Sequence, residues 1–363
     1  MSEKIYIIIF LMIFVSCKTN PQQENINHTN NITIEWNINS KIKLESYIDS
    51  VKYIPLETHP SGLFNMIEKL VIQNDKIFIL DSRHRNQLLV FDTIGNFKFP
   101  VGAHGRAPGE FIETRNFTVD KEYIYIIDNY SSNLLLYDLQ GNYIETKKLP
   151  IPTYDISILK NGDYMLCWQP LEGNAKQQKF KIIITDKNMN IKSELFPIND
   201  SDCFNFSKTS FFTQNNENIV FHTLLSDTIV IFNSNNTLEY TKLNIDFKSQ
   251  SIPLKWRHDY NKVTEHNTFI HITPFITSRF IIGENFSGPY IIDKKNKQVI
   301  INDENQGDYY VLPPLFVKDD EIISYLLNDT YQAMVKDGIK RAPKEIEKRL
   351  EQDDYVLIKY ILK

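Results

Sequence analysis

The chain has 363 residues and a formal net charge of −5, from 40 Lys and Arg against 45 Asp and Glu. No basic block or strongly cationic domain stands out, which argues against nucleic acid as a partner. Its 23 Phe and 19 Tyr beside only 12 Gly are the chemistry of strands, with Asn supplying turns that Gly would otherwise make.

Taken in chain order, the first element is a targeting segment, residues 1–17. Lys4 carries a positive charge, and Ile5 to Val15 is an apolar run too short to span a bilayer. It ends in Phe14-Val15-Ser16-Cys17, which resembles a bacterial lipobox with Phe14 where Leu is usual. The resemblance implies that Cys17 is lipidated and ties the protein to the cell-envelope membrane. Residues 18–44 read as a polar tether, rich in Asn and Gln at its start. Lys18-Thr19-Asn20 lacks the acidic cluster that follows the Cys in surface lipoproteins of the Bacteroidota, so the periplasmic face is expected.

From about residue 45 to residue 363 the chain repeats. KIFILDSRHRNQLLVFDTIGNF and YIYIIDNYSSNLLLYDLQGNY share one layout, and the markers Asp92, Asp138, Asp186 and Asn233 fall 46, 48 and 47 residues apart. Each unit holds four short apolar strands separated by turn residues. A fifth unit carries Asp293 after an insertion. A sixth begins near Leu315 and is interrupted by a charged, helix-forming stretch at about 328–352, where Pro343 and EIEKRLEQ suit a helix start and its charge pairs. A four-stranded unit of this length, repeated, predicts an all-β fold: a six-bladed β-propeller of antiparallel blades. The last unit lacks an outer strand, and Val51 to Glu57 lacks inner partners. The N-terminal strand is therefore expected to close the last blade. The helical interruption is expected as a lid or docking helix.

VKYIPLET, KIFILD with LLVFD, VGAHGRAPGEF and IYIIDNYSSNLLLYDLQGNY resemble the six-bladed β-propeller lipoproteins of the Bacteroidota, distant relatives of NHL-repeat propellers. The resemblance covers about residues 45 to 363 and implies fold and envelope location. It carries over no catalytic residue.

Strand order places the loops between second and third strands, and the crossovers between blades, on one face. That face collects the candidate ligand-binding residues Arg83, His84, Arg85, His104, Arg106, Tyr130, Trp168, Trp256, Arg257 and His258. Guanidinium groups around an imidazole suit a carboxylate or an anionic sugar. The two Trp side chains serve either inter-blade packing or sugar stacking. Asp81 and Asp128 recur at one repeat position, which points to loop capping. The expected function is a non-catalytic module that binds a protein or glycan on this face, with no cofactor. Two alternatives stay open: a carbohydrate-active hydrolase or lyase using Asp259, Glu110, Glu172 and His258, and a calcium-dependent, lactonase-like enzyme. Cys167 and Cys203 are either a disulfide or two free thiols.

Overall fold

Runs such as Ile77-Phe78-Ile79-Leu80 have no polar face, so a strand built from them must be covered on both sides. The computed structural model describes residues 27–38, 42–169, 178–199, 208–215, 217–234, 236–257, 259–265, 268–302 and 308–363, and shows how that cover is supplied. Strand β1 (Asn27–Glu35) and strand β2 (Ile48–Pro55) precede the repeats. Blade 1 holds β3 (Lys69–Gln73), β4 (Lys76–Asp81), β5 (Gln87–Asp92) and β6 (Phe97–Val101). A crossover with the short pair β7 (Ala103–His104) and β8 (Glu110–Phe111) leads to blade 2. Blade 2 is β9 (Thr114–Val119), β10 (Tyr123–Asp128), β11 (Asn133–Asp138) and β12 (Tyr143–Lys148).

Blade 3 is β13 (Asp155–Ile158), β14 (Tyr164–Cys167), β15 (Phe180–Thr185) and β16 (Ile191–Pro197). Blade 4 is β17 (Phe212–Gln214), β18 (Asn218–Phe221), β19 (Thr228–Asn233) and β20 (Asn236–Asp246). After the short helix α1 (Tyr260–Thr264), blade 5 is β21 (Phe275–Ile276), β22 (Phe280–Asn285), β23 (Gly288–Asp293) and β24 (Gln298–Ile301). Blade 6 has β25 (Phe316–Lys318), β26 (Glu321–Leu326), helices α2 (Asn328–Lys336) and α3 (Lys344–Glu351), and β27 (Val356–Leu362). The ring is a six-bladed β-propeller.

The core is divided into layers between neighbouring blades. Alternate residues of one strand serve different layers, as the two-residue period requires. Phe78 and Leu80 pack against Ile124 and Ile126 of blade 2, whereas Ile77 and Ile79 pack against Ile323 and Leu357 of blade 6. Burying such a side chain contributes about 1.5–3 kcal/mol, and every blade needs both neighbours to collect it.

The ring closes as expected. β2 pairs antiparallel with β27, from Ile48 opposite Leu362 to Pro55 opposite Val356. The repeat markers are turn caps. Asp92 Oδ1 accepts the backbone N–H of Ile94 at 3.2 Å and of Asn96 at 2.9 Å, and Asp138 and Asp186 repeat the arrangement. The left-handed position of this turn is Gly95 (φ 94°) and Gly141 (φ 84°) in blades 1 and 2, but Met189 (φ 66°) in blade 3. That substitution is why the third copy is faint in the sequence.

Two expectations are corrected. The stretch read as a tether is part of the fold from Asn27 onward: β1 adds to blade 4 as a fifth strand, parallel to β20. Ile34 and Trp36 are buried between blades 4 and 5, with the Trp36 ring 5.1 Å from both Phe247 and Tyr290. Ile38 then bridges to Val299 on the outer strand of blade 5. The N-terminal chain is thus a strap touching the outermost strands of three successive blades.

The helical interruption is not a lid. Tyr331, Met334, Ile346 and Leu350 are buried in the layer shared by blades 5 and 6. The Tyr331 hydroxyl donates to Glu347 Oε1 at 2.6 Å and accepts the Ala342 N–H at 2.9 Å, which locks the two helices together. Amphipathic faces docked in this way are structural.

Candidate functional site

The loop-rich face contains a cleft of about 490 Å³ where blades 1 and 2 meet. The β4–β5 loop contributes Ser82 and Arg83, the crossover contributes His104 and Glu113, and the first turn of β9 contributes Thr114 and Arg115. Buried carboxylates hold these loops in place. Asp81 accepts the backbone N–H groups of Asn65 (2.7 Å) and His84 (3.1 Å), and Asp128 accepts those of Ile112 (3.3 Å), Glu113 (3.0 Å) and Tyr130 (3.2 Å). Both aspartates cap loops, as their recurrence predicts. Asn86 joins the two sides of the cleft, donating to Ile112 O at 2.9 Å and accepting the Thr114 N–H at 2.7 Å.

The cleft is cationic. Arg83 pairs with the buried Glu68 at 2.9 Å and is otherwise exposed. Arg115 lies over the Tyr154 ring at 4.5 Å, a cation–π geometry. Burial is the main influence lowering the pKa of Arg115. Tyr154 opposes it, the Arg83 guanidinium lowers it further, and Glu113 and Asp155 oppose. A guanidinium whose charge is disfavoured by a neighbouring one is stabilised by an anion placed between them. Glu113 fills part of that role, with its Oε2 also accepting from the Asn129 amide at 3.3 Å. The Thr114 hydroxyl, in a residue only 2 % exposed, finds no hydrogen-bond partner among the described residues.

The sequence-predicted residues divide into groups. Arg83 and His104 line the cleft. Arg106 stacks on the Tyr130 ring at 5.8 Å on the same face, and Tyr130 is 64 % exposed. His84 and Arg85 turn toward blade 1's own entry loop, through Asp81 at 3.5 Å and Asn65 at 3.1 Å. Trp168 is 3 % exposed and belongs to the packed interior, so it offers no stacking surface. Trp256 packs on a small cluster of Leu224, Leu225, Ile252, Val263 and Phe269, and Arg257 faces Asp227 at 3.6 Å. His258 and Cys17 lie outside the described residues. Arg115 and Thr114 were missed. Their signal was a polar Thr-Arg-Asn run at the start of an inner strand, where blade 1 has Lys-Leu-Val.

Of the acids considered for hydrolysis, the two described ones serve their own turns. Glu110 accepts the Ala107 N–H at 2.8 Å within its own turn, and Asp259 caps α1 through the Lys262 N–H at 3.3 Å. Glu172 lies outside the described residues. Near the axis, Asp155 Oδ2 accepts the N–H groups of Phe211 (2.7 Å) and Phe212 (2.9 Å). Its Oδ1 faces Lys69 at 3.3 Å. Such a saturated carboxylate ties blades 1, 3 and 4 together. Among the described residues no group of three or more His, Cys, Asp or Glu is placed to hold a metal ion, and no helix is long and apolar enough to cross a membrane. Cys167 is a free, fully buried thiol, and burial raises its pKa well above the ordinary thiol value. Cys203 lies outside the described residues.

The family model described as a domain of unknown function, DUF4934, matches residues 29–358. No functionally curated protein matches the chain. A crystal structure of an exported protein from Bacteroides fragilis is similar at 18% identity and a TM-score of 0.70, covering 92% of this chain and all (100%) of that one. A DUF4221-family member from Bacteroides vulgatus gives 12% identity and a TM-score of 0.46, over 87% of this chain and 97% of that one. Virginiamycin B lyase from Staphylococcus aureus gives 11% and 0.44, over 86% and 99%. At these identities the first likeness shows the fold alone, and the other two carry no argument about function.

Proposed function

The chain belongs to the DUF4934 family, and we propose that it is an envelope propeller, anchored through a lipid on Cys17, that binds a carboxylate-bearing ligand without transforming it. The observation that supports this reading is the cationic cleft between blades 1 and 2, where Arg83, Arg115 and His104 face one space on a rigid scaffold. Guanidinium groups match a carboxylate in charge and in bidentate geometry. A loop-rich face on a fixed ring suits recognition. The reading assigns no metal or cofactor to the site. Nucleic acid is not a partner in this reading, because the cleft is local and the whole chain is acidic.

A ligand that binds only the folded chain raises its melting temperature in proportion to the logarithm of its concentration. The detergent-solubilised full chain is therefore melted with an acidic glycan and with a neutral glycan of the same length. The acidic one is expected to raise the midpoint. Arg115→Ala is expected to remove the shift, since a hydrogen bond to a charged group contributes about 1.5–3 kcal/mol. Equal shifts with both glycans, or an unchanged shift in the Arg115→Ala protein, would sink the assignment.

A further inference from the structure

The cleft has a neighbour. Asp128 accepts the N–H groups of Ile112 and Glu113, which line the cleft, and also the N–H of Tyr130. Asn129 adds two bonds to Glu113, from its backbone N–H to the Glu113 carbonyl at 2.9 Å and from its amide to Oε2 at 3.3 Å. The backbone that carries the exposed Tyr130 ring is therefore tied to the lining of the cationic space. Arg106 covers the ring from one side at 5.8 Å, and Tyr130 remains 64 % exposed. An open aromatic surface on a tethered backbone beside a cationic cleft calls for a ligand that is flat and apolar in one part and anionic in the next.

Thr114 adds a separate requirement. The residue lines the cleft, and its buried hydroxyl has no partner among the described residues. A buried hydroxyl left unpaired is destabilising. A ligand hydroxyl beside the carboxylate would satisfy it. A simple acidic peptide brings carboxylates but no hydroxyl at that position.

Resting on the reading of the cleft as an anion site, we propose that the ligand is a uronic-acid oligosaccharide bound in two parts. The carboxylate of one sugar lies between Arg83 and Arg115 with His104 beside it, a ring hydroxyl of that sugar meets Thr114 Oγ1, and the next sugar stacks its C–H face on Tyr130. Tyr130 then sets the preference for chains over single sugars, and Thr114 sets the preference for sugars over other acids.

The test uses the full chain in detergent and titration calorimetry with galacturonate, tri-galacturonate, a neutral trisaccharide and tri-glutamate. Tyr130→Ala is expected to weaken tri-galacturonate about tenfold, the size of one lost aromatic contact, and to leave galacturonate unchanged. Thr114→Val is expected to weaken both uronates several-fold without lowering the melting temperature, because it removes an unpaired polar atom. Arg115→Ala loses both. Equal losses for monomer and trimer in Tyr130→Ala, or unchanged trimer affinity, would overturn the platform. Tri-glutamate binding as tightly as tri-galacturonate would overturn the sugar assignment while leaving the anion site intact. Failure of every acid to bind would remove the anion site and this proposal together.

Discussion

Lys208 is the residue whose chemistry is least like its usual state. It is 8 % exposed. Its Nζ stands 2.8 Å from His222 Nδ1 and 2.7 Å from Thr273 Oγ1, and none of the ion pairs found among the described residues includes it. The His222 ring offers Nε2 to Ser226 O at 2.8 Å, so Nδ1 is the acceptor facing the amine. Burial lowers the pKa of Lys208 well below the ordinary lysine value, against opposing pulls from Cys167 and Asp155. Burial, and then Lys208, lowers that of His222. A neutral amine has two N–H groups, and both are used. The unfolded chain keeps the lysine charged up to about pH 10.4, so folding releases a proton and stability rises with pH across that range. Lys208→Met is therefore expected to flatten the rise of melting temperature with pH, so that the parent gains on the variant as the pH approaches 10. An equal gap between the two at pH 7 and at pH 10 would show that the amine is charged in the fold. His222 acts in the same sense at lower pH, its contribution falling away as the pH drops below about 6.5.

Among the elements, the strap carries the clearest prediction. Trp36 fills space between Phe247 and Tyr290, and truncating a buried Trp costs about 3–5 kcal/mol. Trp36→Ala is expected to lower stability to urea by that amount and to speed amide exchange along β20, whose edge β1 covers. Unchanged exchange in β20 would mean that β1 holds without its anchor. The strap also shows where the sequence was hard to read. Ile32, Ile34 and Trp36 alternate as a strand should, but an Asn-rich flank masks three positions, and a parallel edge strand has no copy elsewhere in the repeat. The blades were legible because four strands and an Asp-capped turn recur with one spacing. Closure by Val51 to Glu57 was legible because an unmatched strand and an unmatched edge must meet. Arg115 was not, since one cation in an inner strand has no periodic signature. The docked faces of α2 and α3 were not, because charge pairing marks a helix without saying what it packs on.

At the scale of the whole molecule, six blades place blade 4 across the ring from blade 1. The chain enters at the rim of blade 4, and the cleft opens between blades 1 and 2. Cys17 stands ten residues before Asn27, a span of at most about 35 Å when extended. On the proposed reading, a lipid on Cys17 would hold the rim of blade 4 to the membrane and leave the cleft at the far side of the disc. Cys17→Ser is expected to move the protein from the membrane fraction to the soluble fraction with no change in melting temperature. Retention in the membrane fraction would show that something other than this lipid holds it there.

The closing pair, Ile48 with Leu362, joins the two ends of nearly the whole chain. A strand made early has to wait for the strand made last, and long-range pairing is slow to form. Any length that stops short of β27 leaves the ring incomplete, so the interface between blades 6 and 1 stays open until that strand is available. On the proposed reading of an exported envelope protein, that delay would keep the chain loose during transit and postpone the committed structure until arrival.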